Sequence, residues 1–257
     1  MARSSSLQRQ LDRVVGVPAI KALRLGRARR SLPHDPRRIG VIQATAIGDA
    51  ILSSGVVARL ATAYPDASIT VLHGASNAAA VAMIGARFEA QTLAFNRPDK
   101  AIRHLRAMNL DLLVDLTPWP RATALAAQLS GAVSIGFDSE GQDRAAAFDI
   151  AVAHSCARHE LENFAALADA AAGTAPYGLA LKKGWPAPAM ALPFERLILA
   201  HASPGGSQAA AKSWPVPHWG ALLRALAERG YVVGLTGVAS DAAMAAAILS
   251  EAGLGQD

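Results

Sequence analysis

The chain of 257 residues is 52% hydrophobic and 18% charged, with a net charge of +5 and a single cysteine. Such a composition belongs to a globular protein with an ample apolar core and excludes a disordered chain. One cysteine, Cys156, excludes an internal disulfide framework and points to a reducing, cytoplasmic setting.

The positive charge is concentrated at the start. Residues 1–38 hold ten Lys/Arg against Asp12 and Asp35, a net of +8, and the remainder holds 15 basic against 18 acidic residues, a net of −3. A mildly acidic body argues against nucleic-acid binding, which calls for a basic face. The N-terminus lacks the apolar segment of a signal peptide, and no run of ~18 apolar residues free of charge predicts a membrane span. Within a leader taken as residues 1–36, Leu7, Leu11, Val14 and Val15 share one side of a helix, and Ile20, Leu23 and Leu25 follow Pro18. Two readings stand for it: an arm whose apolar residues pack on the body, or a basic amphipathic segment on an anionic membrane surface.

From residue 37 the chain alternates. "IGVIQA" reads as a buried strand, and "IGDAILSSGVVARLATAYP" as one helix with Gly48-Asp49 at its start, where the free N–H groups and dipole favour an acid. "ASITVLHG" and "AQTLAFN" read as strands around the helix "NAAAVAMIGA". The helix "AIRHLRAMN", the strand "LDLLVDLT", the helix "RATALAAQLSGA", the strand "VSIGFD" and the helix "HELENFAALADAAAG" follow. This order predicts βαβ units on a parallel sheet, an α/β domain spanning 37–175. A Pro-rich linker is expected over 176–194, with Pro176, Pro186, Pro188 and Pro193. A second unit, 195–257, opens with strand "RLILAHA", the loop "SPGGSQAAAKSWP", helix "PHWGALLRALAERG", strand "YVVGLTG" and helix "SDAAMAAAILSEAG". About 63 residues make a poor core on their own, so these strands either extend the first sheet or belong to an incomplete domain.

Two stretches carry candidate chemistry. From Gly206 the loop nearly matches the phosphate-binding pattern G-x-x-x-x-G-K-[ST], but Ala211 replaces the second glycine. Pro215 and Pro217 also keep "KSWPVPHW" from opening a helix at the lysine, with Pro217 suited to the first turn of a later one. An NTPase loop is therefore excluded. Lys212 can instead set one cation against a diphosphate, with Ser203 or Ser207 donating, or it is a surface lysine on a loop. In "QATAIGDAIL" the strand-end turn suits a ligand but lacks G-x-G-x-x-G, so a dinucleotide is not indicated. Asp49 there serves either as a general base or simply as a helix-start acid. His154, Cys156 and His159 do not meet zinc spacing, and no metal site is expected.

Together, "IGVIQATAIGDAILSSGVVARLATAYPDASITVL", "LDLLVDLTPWPRATALAAQLSGAVSIGFD" and "KSWPVPHWGALLRALAERGYVVGLTGVASD" resemble the heptosyltransferases, the ADP-heptose-dependent family of lipopolysaccharide core assembly. The resemblance covers about residues 37–250. It implies a GT-B-like fold of two Rossmann-like domains with parallel sheets, the second incomplete here. It also implies an inverting transfer from a nucleotide-sugar donor to a glycolipid acceptor, in the cytoplasm or at the inner membrane. Asp49 is then the base, on an acceptor loop with Thr45 and Gly48. Lys212 stabilises the leaving diphosphate, while Ser203, Gly205, Gly206, Ser207, Thr236 and Gly237 shape the donor pocket. No metal or cofactor is implied, since the lysine and backbone dipoles neutralise the leaving group. The chain departs from the family in three places. It lacks the Asp-Ser/Thr-Gly-Pro-x-His-like segment, expected beyond Asp257. It has Gly55 where many members have proline, and no basic residue near Ala44–Thr45. A non-catalytic or truncated module that binds the sugar nucleotide or acceptor is the alternative.

Overall fold

A computed structural model describes residue 14 and residues 16–25, 28–183, 195–203 and 209–255. The chain divides into two compact units, Met1–Trp185 and Pro186–Asp257. Leu7, Leu11, Val15, Gly205, Gly206, Ser207 and the prolines at 186, 188 and 193 lie outside the described residues.

The first unit is a six-stranded, fully parallel sheet in the order β3-β2-β1-β4-β5-β6. Its strands are β1 (Arg38–Gln43), β2 (Ser68–His73), β3 (Glu89–Thr92), β4 (Leu112–Asp115), β5 (Val133–Ser139) and β6 (Ile150–His154). Val41 of β1 pairs with Val71 of β2 on one side and Val114 of β4 on the other. The central strands β1 and β4 are buried along nearly their whole length because helices cover both faces, as a parallel sheet requires. On one face Ile39, Val41, Val114 and Phe137 pack with α3 (Ser54–Ala63) and α7 (Glu160–Ala172). On the other, Ile42, Leu72 and Leu113 pack with α5 (Pro98–Ala107) and α6 (Arg121–Leu129). The order runs outward from β1 to β3 and then returns to the other side of β1, so the direction reverses between β1 and β4. That switch leaves a crevice at the carboxyl ends of the strands, where α/β sheets bind ligands.

The N-terminal stretch is tied to this unit. Helix α1 (Val17–Arg24) sends Ile20 fully into the second apolar cluster, and Gln128 Nε2 donates to the Ile20 carbonyl at 3.1 Å. Arg24 and Arg30 reach the buried Asp149 at 3.7 and 2.7 Å. Leu25 remains 84% exposed. Of the two readings of the arm, packing on the body therefore describes residues 17–24.

Two expectations need correction. The helix after β1 is not continuous: α2 (Ile47–Leu52) ends at Ser53, and α3 starts anew at Ser54. The break is held from outside, by Tyr177 Oη donating to the Leu52 carbonyl at 2.8 Å and Ala180 N donating to Ser54 Oγ at 3.0 Å. The edge strand β6, over "IAVAH", was not anticipated, since its alanines give little apolar contrast. A short α4 (Ala78–Ala82) follows β2, and Ile84 bridges antiparallel to Leu181.

In the second unit β7 (Leu197–His201) pairs in parallel with β8 (Val232–Thr236). Helix α8 (Ala209–Lys212) is short, while α9 (Val216–Glu228) and α10 (Ala242–Ala252) pack on each other and bury Leu223 and Ile248. The sheet face turned from this cluster leaves Leu199 61% exposed. Among the described residues no helix is long and apolar enough to cross a membrane.

The strap over α3 explains the glycine at 55. A Cβ there would lie 2.2 Å from the Gly178 carbonyl oxygen and 2.8 Å from the Tyr177 ring. Gly55→Ala is expected to cost about 1–3 kcal/mol through overpacking against backbone, read as a lowered midpoint in urea at unchanged slope. Asp149 gives a pH test. Burial opposes its charged form, but hydrogen bonds from Arg30 and Ser134 hold its carboxyl below the ordinary value. A depressed carboxylate stabilises the fold above the unfolded value and loses that contribution as pH falls through the folded one. Asp149→Asn should therefore be less stable than wild type at pH 7, with the gap closing below about pH 3.9.

Candidate functional site

The switch-point crevice is lined by the turn after β1, the turn after β4 and the end of β6. The first turn is set by a buried polar network. Ser53 Oγ donates to Gln43 Oε1 at 3.0 Å, Gln43 Nε2 donates to Thr45 Oγ1 at 2.6 Å, and Thr45 Oγ1 donates to the Ala46 carbonyl at 3.2 Å. Asn77 Nδ2 donates to the Gln43 carbonyl at 2.8 Å. Gln43, Thr45, Ser53 and Asn77 are all buried, so each partner must be present for the turn to hold this shape. Thr45 is thus a structural member of the loop, and its hydroxyl is already engaged.

Asp49 is the third residue of α2, with Ala46 extended before the helix. It is half-buried. Burial pushes its carboxyl above the ordinary aspartate value and the neighbouring Glu160 carboxylate adds to this, against the Ala46 backbone and His154. Gly48 beside it is exposed, and a Cβ there would meet nothing within 4 Å, so the space next to the carboxylate is open.

The other side of the crevice was not foreseen as a site. His154, at the end of β6, stands edge-on to Trp119 and Phe137, with ring centroids 5.4 and 5.1 Å apart. Its Nε2 donates to Glu160 at 3.0 Å. Trp119, in the turn after β4, is 47% exposed. That turn is pinned from below: Ser139 Oγ donates to the Pro118 carbonyl at 2.6 Å, and Arg144 donates to the Thr117 carbonyl and, at 2.7 Å, to Asp115. In the sequence Glu160 lies unremarked in the predicted helix "HELENFAALADAAAG". His159, its neighbour, caps that helix by accepting from Leu161 N at 3.2 Å, and Cys156 is exposed.

In the second unit Ser203, Thr236 and Gly237 come together around Asp241. Ser203 Oγ donates to Asp241 Oδ1 at 2.8 Å, and Val238 N donates to Oδ2 at 2.9 Å. These two donors hold the Asp241 carboxyl below its ordinary value. Gly237 lets it close, since a Cβ would sit 2.9 Å from Asp241 Oδ2. His201 Nδ1 donates to the Thr236 carbonyl at 2.9 Å. Asp241 closes the stretch "LTGVASD" that carries part of the family resemblance, but the sequence alone assigned it no role in the site. Lys212 ends α8, exposed and with no ion pair among the described residues. Ser213–Pro215 are non-helical and Pro217 is the second residue of α9, so this lysine closes a helix where an NTPase lysine opens one. Trp214 stands against Trp219 and His218, 5.3 and 5.4 Å between centroids. Asp49 and Lys212 belong to different units.

Solved structures with this fold include E. coli heptosyltransferase WaaC with ADP, 19% identical with a TM-score of 0.60 over 82% of this chain and 71% of that one. E. coli ADP-heptose LPS heptosyltransferase II is 22% identical, with a TM-score of 0.61 over 85% of this chain and 69% of that one. A family 9 glycosyltransferase from Veillonella parvula is 18% identical, with a TM-score of 0.62 over 86% and 68%. At such identities the likeness is one of fold, here GT-B. No curated protein sequence matches. The family model of glycosyltransferase family 9 (heptosyltransferase) matches residues 99–255, more than half of the sequence. With the parallel sheet, its switch point and this match together, the chain belongs to glycosyltransferase family 9, the heptosyltransferases.

Proposed function

We propose that the protein is an inverting glycosyltransferase that moves a heptose-like sugar from ADP-heptose to a lipopolysaccharide-core or related glycolipid acceptor. The observation that carries this reading is Asp49: a half-buried carboxylate, raised in basicity, at the switch point of a family 9 fold. The ADP and ADP-2-deoxy-2-fluoro heptose bound by structurally similar heptosyltransferases support the choice of donor.

In this reading Asp49 takes the proton of the acceptor hydroxyl as that oxygen bonds to the anomeric carbon. The bond from that carbon to the diphosphate breaks on the opposite face, which inverts the centre. ADP leaves with the electron pair, and Lys212 offsets its charge. One base and one electrostatic clamp supply the chemistry. Thr45 and Gly48 shape the acceptor side, within 37–175. Ser203, Gly205, Gly206, Ser207, Thr236 and Gly237 shape the donor side, within 195–257. A glycolipid acceptor sits in a membrane leaflet, and the basic stretch 1–38 supplies charge for approach from the cytoplasm.

Asp49→Asn should lower kcat by about 10²- to 10⁴-fold with the fold unchanged by circular dichroism. Near-normal turnover would reject the base assignment. In the wild type the carboxylate is the active form, so kcat/KM should fall on the acid side at a pH above the ordinary aspartate range. Lys212→Ala should weaken ADP binding in calorimetry. A folded chain that binds no ADP would favour the non-catalytic, acceptor-binding alternative.

A further inference from the structure

The pair facing Asp49 is built more firmly than a helix start requires. Helices α2 and α7 pack together at the carboxyl edge of the sheet, which brings Glu160, the first residue of α7, near enough for its charge to act on Asp49. Glu160 is fixed on two sides. His154 Nε2 donates to its two oxygens at 3.0 and 3.1 Å, and Asn163 Nδ2 donates to Oε2 at 2.9 Å. Asn163 is itself locked, accepting from Ser155 N and donating to the Ser155 carbonyl, both at 3.1 Å. The His154 ring has no freedom to turn, with Phe137 and Trp119 against it and a side chain that is 3% exposed.

His154 Nδ1 is buried and has no partner among the described residues. His154 orients Glu160 but does not cancel the influence of its charge on Asp49, on which the ring's own opposing effect is the smaller. The other elements packed on α2 do not cancel it either. Arg59 of α3 is bound to Asp169 at 2.7 Å, and neither α4 nor the 3-10 turn Ala75–Asn77 before it carries a titratable group. Two carboxylates therefore lie within electrostatic reach of one another, one held in place and the other open to the crevice. A like charge that cannot move away favours the protonated state of its neighbour.

We propose that Glu160, clamped by His154 and Asn163, is a positioning residue that sets how strongly Asp49 holds the acceptor's proton. The role rests on Asp49 being the base. Glu160 does not touch the reacting atoms. It makes Asp49 a stronger base than an ordinary aspartate.

The test is a ¹³C NMR titration of the Asp49 carboxyl in the whole chain, the resonance being assigned by its loss in Asp49→Asn, beside the pH profile of kcat/KM. In Glu160→Gln, which keeps the hydrogen bond from His154, the Asp49 midpoint should move to lower pH. The acid limb of kcat/KM should follow it, and the plateau should drop severalfold. In wild type the Asp49 curve should carry a second inflection where Glu160 titrates, a readout that needs no variant. An Asp49 midpoint that stays in place in Glu160→Gln, or a single transition in wild type, would overturn the proposal. If the midpoint moves but the acid limb does not, the base assignment fails and Glu160's part in the reaction fails with it. The two carboxylates would then remain coupled in the titration. Should Glu160→Gln not fold, Glu160→Asp draws the charge back by one methylene, and a smaller downward shift is expected.

Discussion

Asp115 and Arg144 form an ion pair in which neither side chain has any exposed surface, and the carboxyl edge of the first unit is assembled around it. Burial pushes the Asp115 carboxyl up, and the Arg144 guanidinium with the Thr117 amide and hydroxyl opposes this. A buried pair of this kind adds little net stability when intact, yet removing one partner strands the other and typically costs ~3–5 kcal/mol. Its value here is geometric. Arg144 also donates to the Thr117 carbonyl, while Thr117 and Thr123 share a 2.8 Å hydrogen bond, so the end of β4, the following turn and the start of α6 are fixed as one piece. Trp119 extends from that turn toward His154, so the wall of the crevice rests on the buried charge.

The opposite wall depends on uncharged partners. Gln43, Thr45, Ser53 and Asn77 fix the turn after β1 by hydrogen bonds alone, and Asp49 is left as its ionisable group. This division suits a site that must change protonation at one place. Charges that serve the structure are paired on a buried carboxylate, as at Asp115–Arg144 and Asp149–Arg30. Exposed pairs such as Arg103–Asp99, screened by solvent, carry no part of the architecture. The basic N-terminal stretch takes part as well: Arg24 and Arg30 are used by Asp149, and Lys21 lies 3.4 Å from Asp143. Part of the charge that looked free in the sequence is thus committed to holding α1 on the sheet.

The amino-acid sequence by itself determined the α/β class, most strand and helix positions, the Gly48-Asp49 turn and the rejection of an NTPase loop at Lys212. These follow from local rules: apolar runs of strand length, helical spacing, and prolines that cannot occupy a helix interior. It left β6 unseen, because an alanine-rich edge strand has little periodic contrast. It also joined α2 and α3 into one helix, because the break at Ser53 is enforced by Tyr177 and Ala180 from more than a hundred residues away. The glycine at 55, a bare departure from the family pattern in the sequence, became a packing requirement once the 177–180 segment was seen to cross it. Only the tertiary structure set Glu160 and His154 beside Asp49, since the strand order that brings the ends of β1 and β6 to one edge is not encoded in any local pattern. Local chemistry identified the carboxylate, and the fold chose what it faces.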